Sequence, residues 1–574
     1  MVIKVLLKAL VVVIFFISSS WNSFSQWEKV ERFDFHPPLD IPLVLAANFG
    51  ELRTNHFHTG LDFKTNRQIG YKIYAIEDGF VSRIKISPWG YGHAIYIDHP
   101  NGLTSVYAHC DEFVGEIGEL VSHRQKLEQN FAFEYYPPKD SLQVKRGQVI
   151  AKSGNTGGST APHLHFEIRD TKSENALNPL LFDFEIKDTR RPTIRGVKVY
   201  AVTKEGYRVP NKAKVLNAFG ANGKYSISGN TLTIPANYTS TDGGIGLAFD
   251  AIDQLDAADN VCGIFKAFLI VDGDTVFVQD MTRIAFESNR YINCHKDYEE
   301  FHTKRRHYQK TYKTIHNPLP IYAFTQNNGI LKMEPGEQRK IEYICVDTEG
   351  NKASLHFKLV AANGESSNWN ELYSPSDAYL FPDSAFMENS PEGVVLFPPG
   401  LVYEPTPLIH KSSEALIFGN PAIPLQEKFK VMLPIKNQSL PDEKYLIARK
   451  HSNGILYPEI GNVKDGWVTT WVKNFGTFSV TTDTIAPVIS ARNFSNNSNV
   501  KGKTLLWAIS DNFSGLADYD VFVDGEWFVL KYEPKRAAGF SFTPPSHLTG
   551  KKEVLVRAID YCGNVQEVVY QLSF

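Results

Sequence analysis

A chain of 574 residues, 43 % hydrophobic and 21 % charged, is too long for one ordinary domain and carries no disordered bias. About three or four packed domains are expected. A formal net charge of −3 removes any global electrostatic case for nucleic acid or for a strongly charged partner.

The N-terminus reads as an export signal. Lys4 and Lys8 precede an apolar run from Ala9 to Ile17, and Ser23-Phe24-Ser25 before Gln26 offers small residues for cleavage. The run is shorter than the roughly 20 apolar residues that span a bilayer. Residues 1–25 are therefore expected to be a signal peptide, with an uncleaved anchor as the alternative. The mature protein is expected in the periplasm or cell envelope. No cysteine lies here to accept a lipid.

From residue 27 to about 66 an entry segment leads into short β-type runs separated by glycine turns, continuing to about 186. Ala94 to Asp98, Leu103 to Ala108 and Gln148 to Lys152 are examples. Residues 114–129 break the pattern as a short helix, with Ile117, Leu120, Val121 and Leu127 as its apolar positions. Residues 114–139 read as an insertion between strands.

An internal repeat follows. Asp188-Thr189-Arg190-Arg191-Pro192-Thr193-Ile194 matches Asp483-Thr484-Ile485-Ala486-Pro487-Val488-Ile489. The two stretches close alike, at Asp347-Thr348-Glu349-Gly350-Asn351 and Asp560-Tyr561-Cys562-Gly563-Asn564. Two β-sandwich modules of one type are expected, 188–360 and 483–574, flanking a β-rich domain at 361–482. The first is long and must hold insertions, for which the charged stretch from His295 to Lys313 is the candidate. His302, His307 and the neighbouring Lys and Arg read as a solvated face. The five cysteines are scattered, odd in number and without a CxxC pair. That argues against a disulfide framework, beyond one bridge, and against a cysteine metal site.

Nine of the 17 histidines fall within the first 165 residues. His58-Thr59-Gly60-Leu61-Asp62 places an imidazole and a carboxylate where one metal can meet both, with Gly60 permitting the bend. In His163-Leu164-His165 the two imidazoles share a strand face. Tyr107-Ala108-His109 ends a β run, with His109 expected on the face of Tyr107 and Cys110 turned to the core. Each pattern alone has an ordinary structural reading. Together, His58, Asp62 and one histidine of the pair supply three N/O ligands and leave a position for water, as in catalytic zinc sites. The other histidines are then free for proton transfer and charge stabilisation.

The order of these motifs resembles the lysostaphin/LytM-type zinc metallopeptidases. The resemblance runs from about Phe57 to Arg169. It includes Asp78-Gly79, Gly90-Tyr91-Gly92, residues 145–150 and Ser153-Gly154-Asn155-Thr156-Gly157 before His163-Leu164-His165-Phe166-Glu167. It implies a β-sheet groove with one Zn2+ at its floor, bound by His58, Asp62 and His165. His109 and His163 would be catalytic, acting on water and on the tetrahedral oxyanion. Strand alternation separately places Glu167 on the side or rim of His165, where it is expected to support a ligand from behind. The substrate would be peptide crosslinks of peptidoglycan. The alternative is a non-catalytic or autoinhibited regulator of another wall hydrolase. The fold class expected for the chain is mainly β: a groove domain at 26–187, then two or three Ig-like sandwiches that position it on the wall or on an envelope protein. There are two departures. His93 stands where the family often has Asn. The insertion at 114–139 follows His109 directly and is expected near the groove, as a lid or a narrowing of substrate range.

Overall fold

A computed structural model describes residues 33–139, 141–369, 372–373, 379–408, 416–451 and 453–574. The expected signal peptide lies outside the described residues. The described chain is mainly β.

The N-terminal domain contains β1 (Leu45–Ala47), β2 (Leu61–Lys64), β3 (Lys72–Tyr74), β4 (Gly79–Ile86), β5 (His93–Asp98) and β6 (Leu103–Ala108). Then come β7 (Cys110–Phe113), α1 (Gly115–Glu128), β8 (Phe133–Tyr135), β9 (Gln143–Val144), β10 (Val149–Ser153) and β11 (His163–Asp170). The main sheet runs β1-β2-β11-β6-β5-β4-β8, and β3-β10-β7 form a second sheet. Alternation along β11 sends Leu164, Phe166 and Ile168 into the shared core with Phe63, Ile97, Tyr107 and Ile150. Each such side chain contributes about 1.5–3 kcal/mol through burial. His163, His165 and Glu167 are thereby committed to the other face. A slip of one residue would exchange the two sets, so the core itself sets the register of the site.

The helix forms as expected, but Leu127 is 64 % exposed. Only Ile117 and Gln125 are fully buried on it, with Leu120 and Val121 partly so. Gln125 Nε2 donates to the Phe131 carbonyl at 2.8 Å and holds the return of the chain. β8 then adds to the sheet edge beside β4. The insertion is thus spent on the far edge of the sheet. None of its residues lines the groove, which corrects the expectation of a lid.

In the next module ten strands follow one path. Arg208–Ala221 pairs with Thr193–Thr203 through its first part and with Lys224–Ile234 through its last. The sheet therefore turns over on itself and encloses Val197, Phe249, Leu269, Tyr343 and Leu355. Between Phe386 and Thr482 the described residues form a five-stranded and a four-stranded sheet around Phe397, Phe418, Phe429 and Phe475. The last module has two four-stranded sheets around Trp507, Phe540 and Val556.

The N-terminal core does not stop near residue 187. Leu255, Phe265, Met281, Ile292 and Leu319 of the following module join it. The charged stretch 295–313 is mixed: Lys304 and Arg305 are exposed and His307 is half-buried, as expected of a solvated face, while 295–297 and 308–312 towards its two ends are buried. His302 is exposed, but His295, Lys296 and Asp297 are fully buried and Lys310 is 4 % exposed. Asp297 has a counter-charge, whereas burial lowers the Lys296 ammonium to about 7. Lys198 Nζ donates to Asp297 at 2.7 Å and to Glu300 at 3.1 Å, and Lys296 Nζ donates to the Arg53 carbonyl at 2.6 Å. All five cysteines are buried and free.

Candidate metal centre

Strand order builds the site. β2 and β6 flank β11, so His165 lies opposite Asp62 on one side and Ala108 on the other. His58 comes from the turn before β2. There Gly60 has no positive φ. What the position requires is space, since a Cβ would lie 2.4 Å from the Phe166 carbonyl oxygen and 3.0 Å from His165 Cε1. The bend expected of this glycine is replaced by a close approach.

His58 Nε2, Asp62 Oδ1 and His165 Nδ1 form a triangle with edges of 3.0, 2.8 and 3.0 Å. Each imidazole is held from behind. His58 Nδ1–H donates to the Asn48 carbonyl at 2.7 Å, and His165 Nε2–H donates to Glu167 Oε1 at 2.9 Å. Those bonds turn the lone pairs of His58 Nε2 and His165 Nδ1 toward the carboxylate oxygen, so three acceptors face one another. A cation is what such a group lacks. Donors around a tetrahedral zinc ion, with bonds of about 2.0 Å, stand about 3.3 Å apart, close to the observed edges. The residues present therefore fit zinc.

The electrostatics agree. Burial opposes ionisation of Asp62, yet the surrounding imidazoles hold its carboxyl well below the usual carboxylate range. Burial lowers His58. Burial also works against protonation of His165, but hydrogen bonds to Asp62 and Glu167 outweigh it and lift this imidazole to about 9. Arg53 Nη2 donates to Asp62 Oδ2 at 3.1 Å. Glu167 is fully buried and accepts from Thr59 at 2.6 Å, Tyr91 at 2.5 Å and Arg169 Nε at 2.7 Å.

The remaining two histidines stand beside the triangle. His163 Nδ1–H donates to the Ala161 carbonyl at 2.8 Å, leaving Nε2 at 3.4 Å from Asp62 Oδ1. His109 Nδ1–H donates to the Thr156 carbonyl at 2.8 Å, and its ring centre is 4.8 Å from that of His163. Burial, and then the neighbouring imidazoles, depress His109 well below the ordinary histidine range. Its route to the groove was not expected. His109 has φ of 60° between β6 and β7, which breaks the alternation. Tyr107 and Cys110 go to the core, while His109 turns away from them. The five histidine and aspartate candidates are therefore brought together, but Tyr107 and His109 do not share a face.

Sequence reasoning passed over Asn48, Arg53, Thr59 and Tyr91 as supports of the site. Asn48 acts through its backbone, which leaves no signal. Arg169 was legible, since it continues the i, i+2 series of His165 and Glu167. The site opens on a groove of about 1150 Å3 lined by Glu51, Arg53, His56, Tyr91, residues 158–163 and Asn260. Other supports come from the next module. Asn289 Oδ1 accepts from Phe57 N–H at 2.6 Å, and Asn48 and Gly263 exchange two hydrogen bonds.

Comparison with known proteins places these features in context. The profile of Peptidase family M23 matches residues 56–129 and 138–179, and that of a Zu5-like domain matches 390–483. DD-carboxypeptidase/endopeptidase Mpg of Neisseria meningitidis is 33 % identical over 118 residues, 21 % of each chain. Peptidoglycan DD-endopeptidase ShyB of Vibrio cholerae is 33 % identical over 111 residues, 19 % of this chain and 20 % of that protein. The matched part is thus about a fifth of these relatives' length. The catalytic domain of lysostaphin from Staphylococcus simulans aligns at 27 % identity over 23 % of this chain and 86 % of that one, with a TM-score of 0.18. The groove domain that carries His58, Asp62, His109, His163 and His165 is a peptidase family M23 domain.

Proposed function

We propose that this protein is an exported zinc endopeptidase that hydrolyses peptide crosslinks of bacterial peptidoglycan. The observation that carries the reading is the triangle of His58 Nε2, Asp62 Oδ1 and His165 Nδ1, with two further imidazoles beside it at the floor of an open groove. The names of the matched relatives, among them DD-endopeptidases, support the substrate class. Export is supported by the character of residues 1–25.

His58, Asp62 and His165 would hold the metal. Zinc bound there supplies a Lewis acid and makes water a nucleophile near neutral pH. The chain's own groups do the rest. His109, kept neutral by burial, presents Nε2 to the groove as a proton acceptor. The attacking oxygen bonds to the scissile carbonyl carbon, and the proton it gives up returns to the amine nitrogen as the C–N bond breaks. His163, held through Nδ1–H to the Ala161 carbonyl, would donate from Nε2 to the charge that develops on the carbonyl oxygen only when a second proton sits on Nε2. Glu167, Asn48 and Arg53 hold the ligands in orientation.

The test is digestion of purified peptidoglycan, with products identified by mass. Wild type, a chelated sample with zinc restored, and His109→Ala run side by side. Crosslink cleavage that requires both zinc and His109 is expected. A zinc-loaded wild type that cuts no crosslink would overturn the assignment.

A further inference from the structure

The repeated sequence signals close on two more polar sites, one in each module, that the peptidase reading leaves unused. In the first, carboxylate oxygens of Asp188, Asp253 and Asp347 lie within 4.8 Å of one another, and in the last module those of Asp483, Asp511 and Asp560 do the same. Two oxygens sharing one Ca2+, at about 2.4 Å each, have the same reach.

The two clusters are built alike. Asp347 Oδ1 accepts from the Glu349 and Asn351 amides, and Asp560 Oδ1 from those of Cys562 and Asn564. Asn351 Nδ2 bridges Asp347 to the Asp188 carbonyl, and Asn564 Nδ2 bridges Asp560 to the Asp483 carbonyl. The third aspartate follows the strand that pairs antiparallel with the first strand of its module, Gly243–Ile252 or Leu505–Ser510.

An independent observation points to a missing charge. Asp253 is 3 % exposed, and its Oδ1 is buried with no hydrogen-bond partner. The equivalent atom of the other cluster, Asp511 Oδ1, is buried and unpartnered too. The buried carboxylates elsewhere in the described residues, such as Glu167, Asp250, Asp297 and Asp520, are paired with Arg or Lys. Among the described residues, the buried carboxylates with no ion pair are Asp253, Asp347, Asp483 and Asp560, and all belong to these clusters. The nearest cations are engaged otherwise. Arg190 bonds to Asp259 and Gln254, and Lys444 to the Cys562 carbonyl and Asn564. Three carboxylates cannot share a buried site as anions without a counter-charge. An all-oxygen donor set selects a hard cation over zinc.

We propose that each module binds one Ca2+ at its triad, independently of the peptidase centre. Asp188 and Asp483 lie on the segments entering their modules, so each ion ties an incoming segment to the closing loop. Two of the joints of the chain are thus fastened in the same way.

The test uses the full chain, freed of Ca2+ on a chelating resin with zinc replaced, then brought to equilibrium with Ca2+ by dialysis. Two Ca2+ per chain are expected, half-saturating at about 0.1–1 mM as in extracellular modules. Asp253→Asn and Asp511→Asn are each expected to remove one ion, and the pair both. The melting temperature of the wild type should rise with Ca2+ and that of the double variant should not. Fewer than two ions on the wild type overturns the proposal whether or not the variants fold. So does a double variant that still binds two, and preference for Mg2+ overturns the choice of cation.

Discussion

Replacement of Glu167 by Gln tests whether the site depends on the group behind its ligand. Glu167 Oε1 accepts from His165 Nε2–H at 2.9 Å, from Thr59 at 2.6 Å and from Tyr91 at 2.5 Å, while Oε2 faces Arg169 Nε at 2.7 Å. A glutamine must turn its NH2 to one end or the other. Toward Arg169, donors meet donors in a buried place. Toward His165, the Nε2–H loses its acceptor, the imidazole takes the other tautomer, and Nδ1–H then points where a lone pair is needed. Losing such a support weakens zinc binding by about 10–100-fold. That is about 1.4–2.8 kcal/mol. Breaking a buried pair also destabilises the fold by about 3–5 kcal/mol. The lower end is expected here, because the Arg169 guanidinium also lies 4.1 Å from the Phe286 ring centre and 5.2 Å from that of Tyr96. The assay is zinc affinity by chelator competition, with melting curves in zinc and in chelator. Excess zinc should restore part of the activity. Wild-type zinc affinity in a folded Glu167→Gln protein would refute the argument that Glu167 sets the tautomer of His165.

Other substitutions separate the remaining roles. Asp62→Ala should abolish stoichiometric zinc binding, measured as metal per chain, because it removes the shared vertex of the triangle. His109→Ala should retain zinc and lose about 10²–10⁴-fold in turnover, and loss of the metal instead would place His109 among the ligands. His93 bears on acid stability. Burial and then Lys531 lower it to about 4, against about 6.5 in the unfolded chain. Below pH 6.5 the unfolded chain binds a proton that the fold refuses. The His93 contribution is therefore complete above pH 6.5, declines as pH falls, and is lost by about pH 4. The total is about 3 kcal/mol. Melting temperatures of His93→Asn should fall less steeply with pH over that window than those of wild type, and parallel slopes would count against it. Lys535 of the last module donates to the carbonyls of Asn155, Gly157 and Ser159, in the loop that seats His109 and His163. Lys535→Met should lower kcat by about tenfold with zinc retained, the effect of about 1.4 kcal/mol. An unchanged kcat would show that the loop needs no clamp.

Much of the centre was legible because it obeys short-range periodicity. His163, His165, Glu167 and Arg169 alternate on one strand, and the apolar residues between them fix which face is which. His58 and Asp62 were legible from their spacing. The repeat at 188 and 483 was legible from its letters, and the turns that close each module follow from Asp, Gly and Asn chemistry.

What the tertiary structure alone decided involves partners distant in sequence or a backbone exception. The φ of 60° at His109 reverses the face that alternation assigns, and no residue type at that position announces it. The destination of α1 and β8 was set by which sheet edge was free to pair, so an insertion adjacent to His109 in sequence ends on the far side of β4. The charged stretch 295–313 reads as solvated because charge is usually exposed. That holds for residues 302–305, whereas Lys296 and Asp297 are buried against Lys198, Tyr200 and the Arg53 carbonyl, up to 243 positions away. Short-range pattern determined which residues can do chemistry here. Long-range pairing decided which of them meet, because that free energy depends on neighbours the local sequence does not contain.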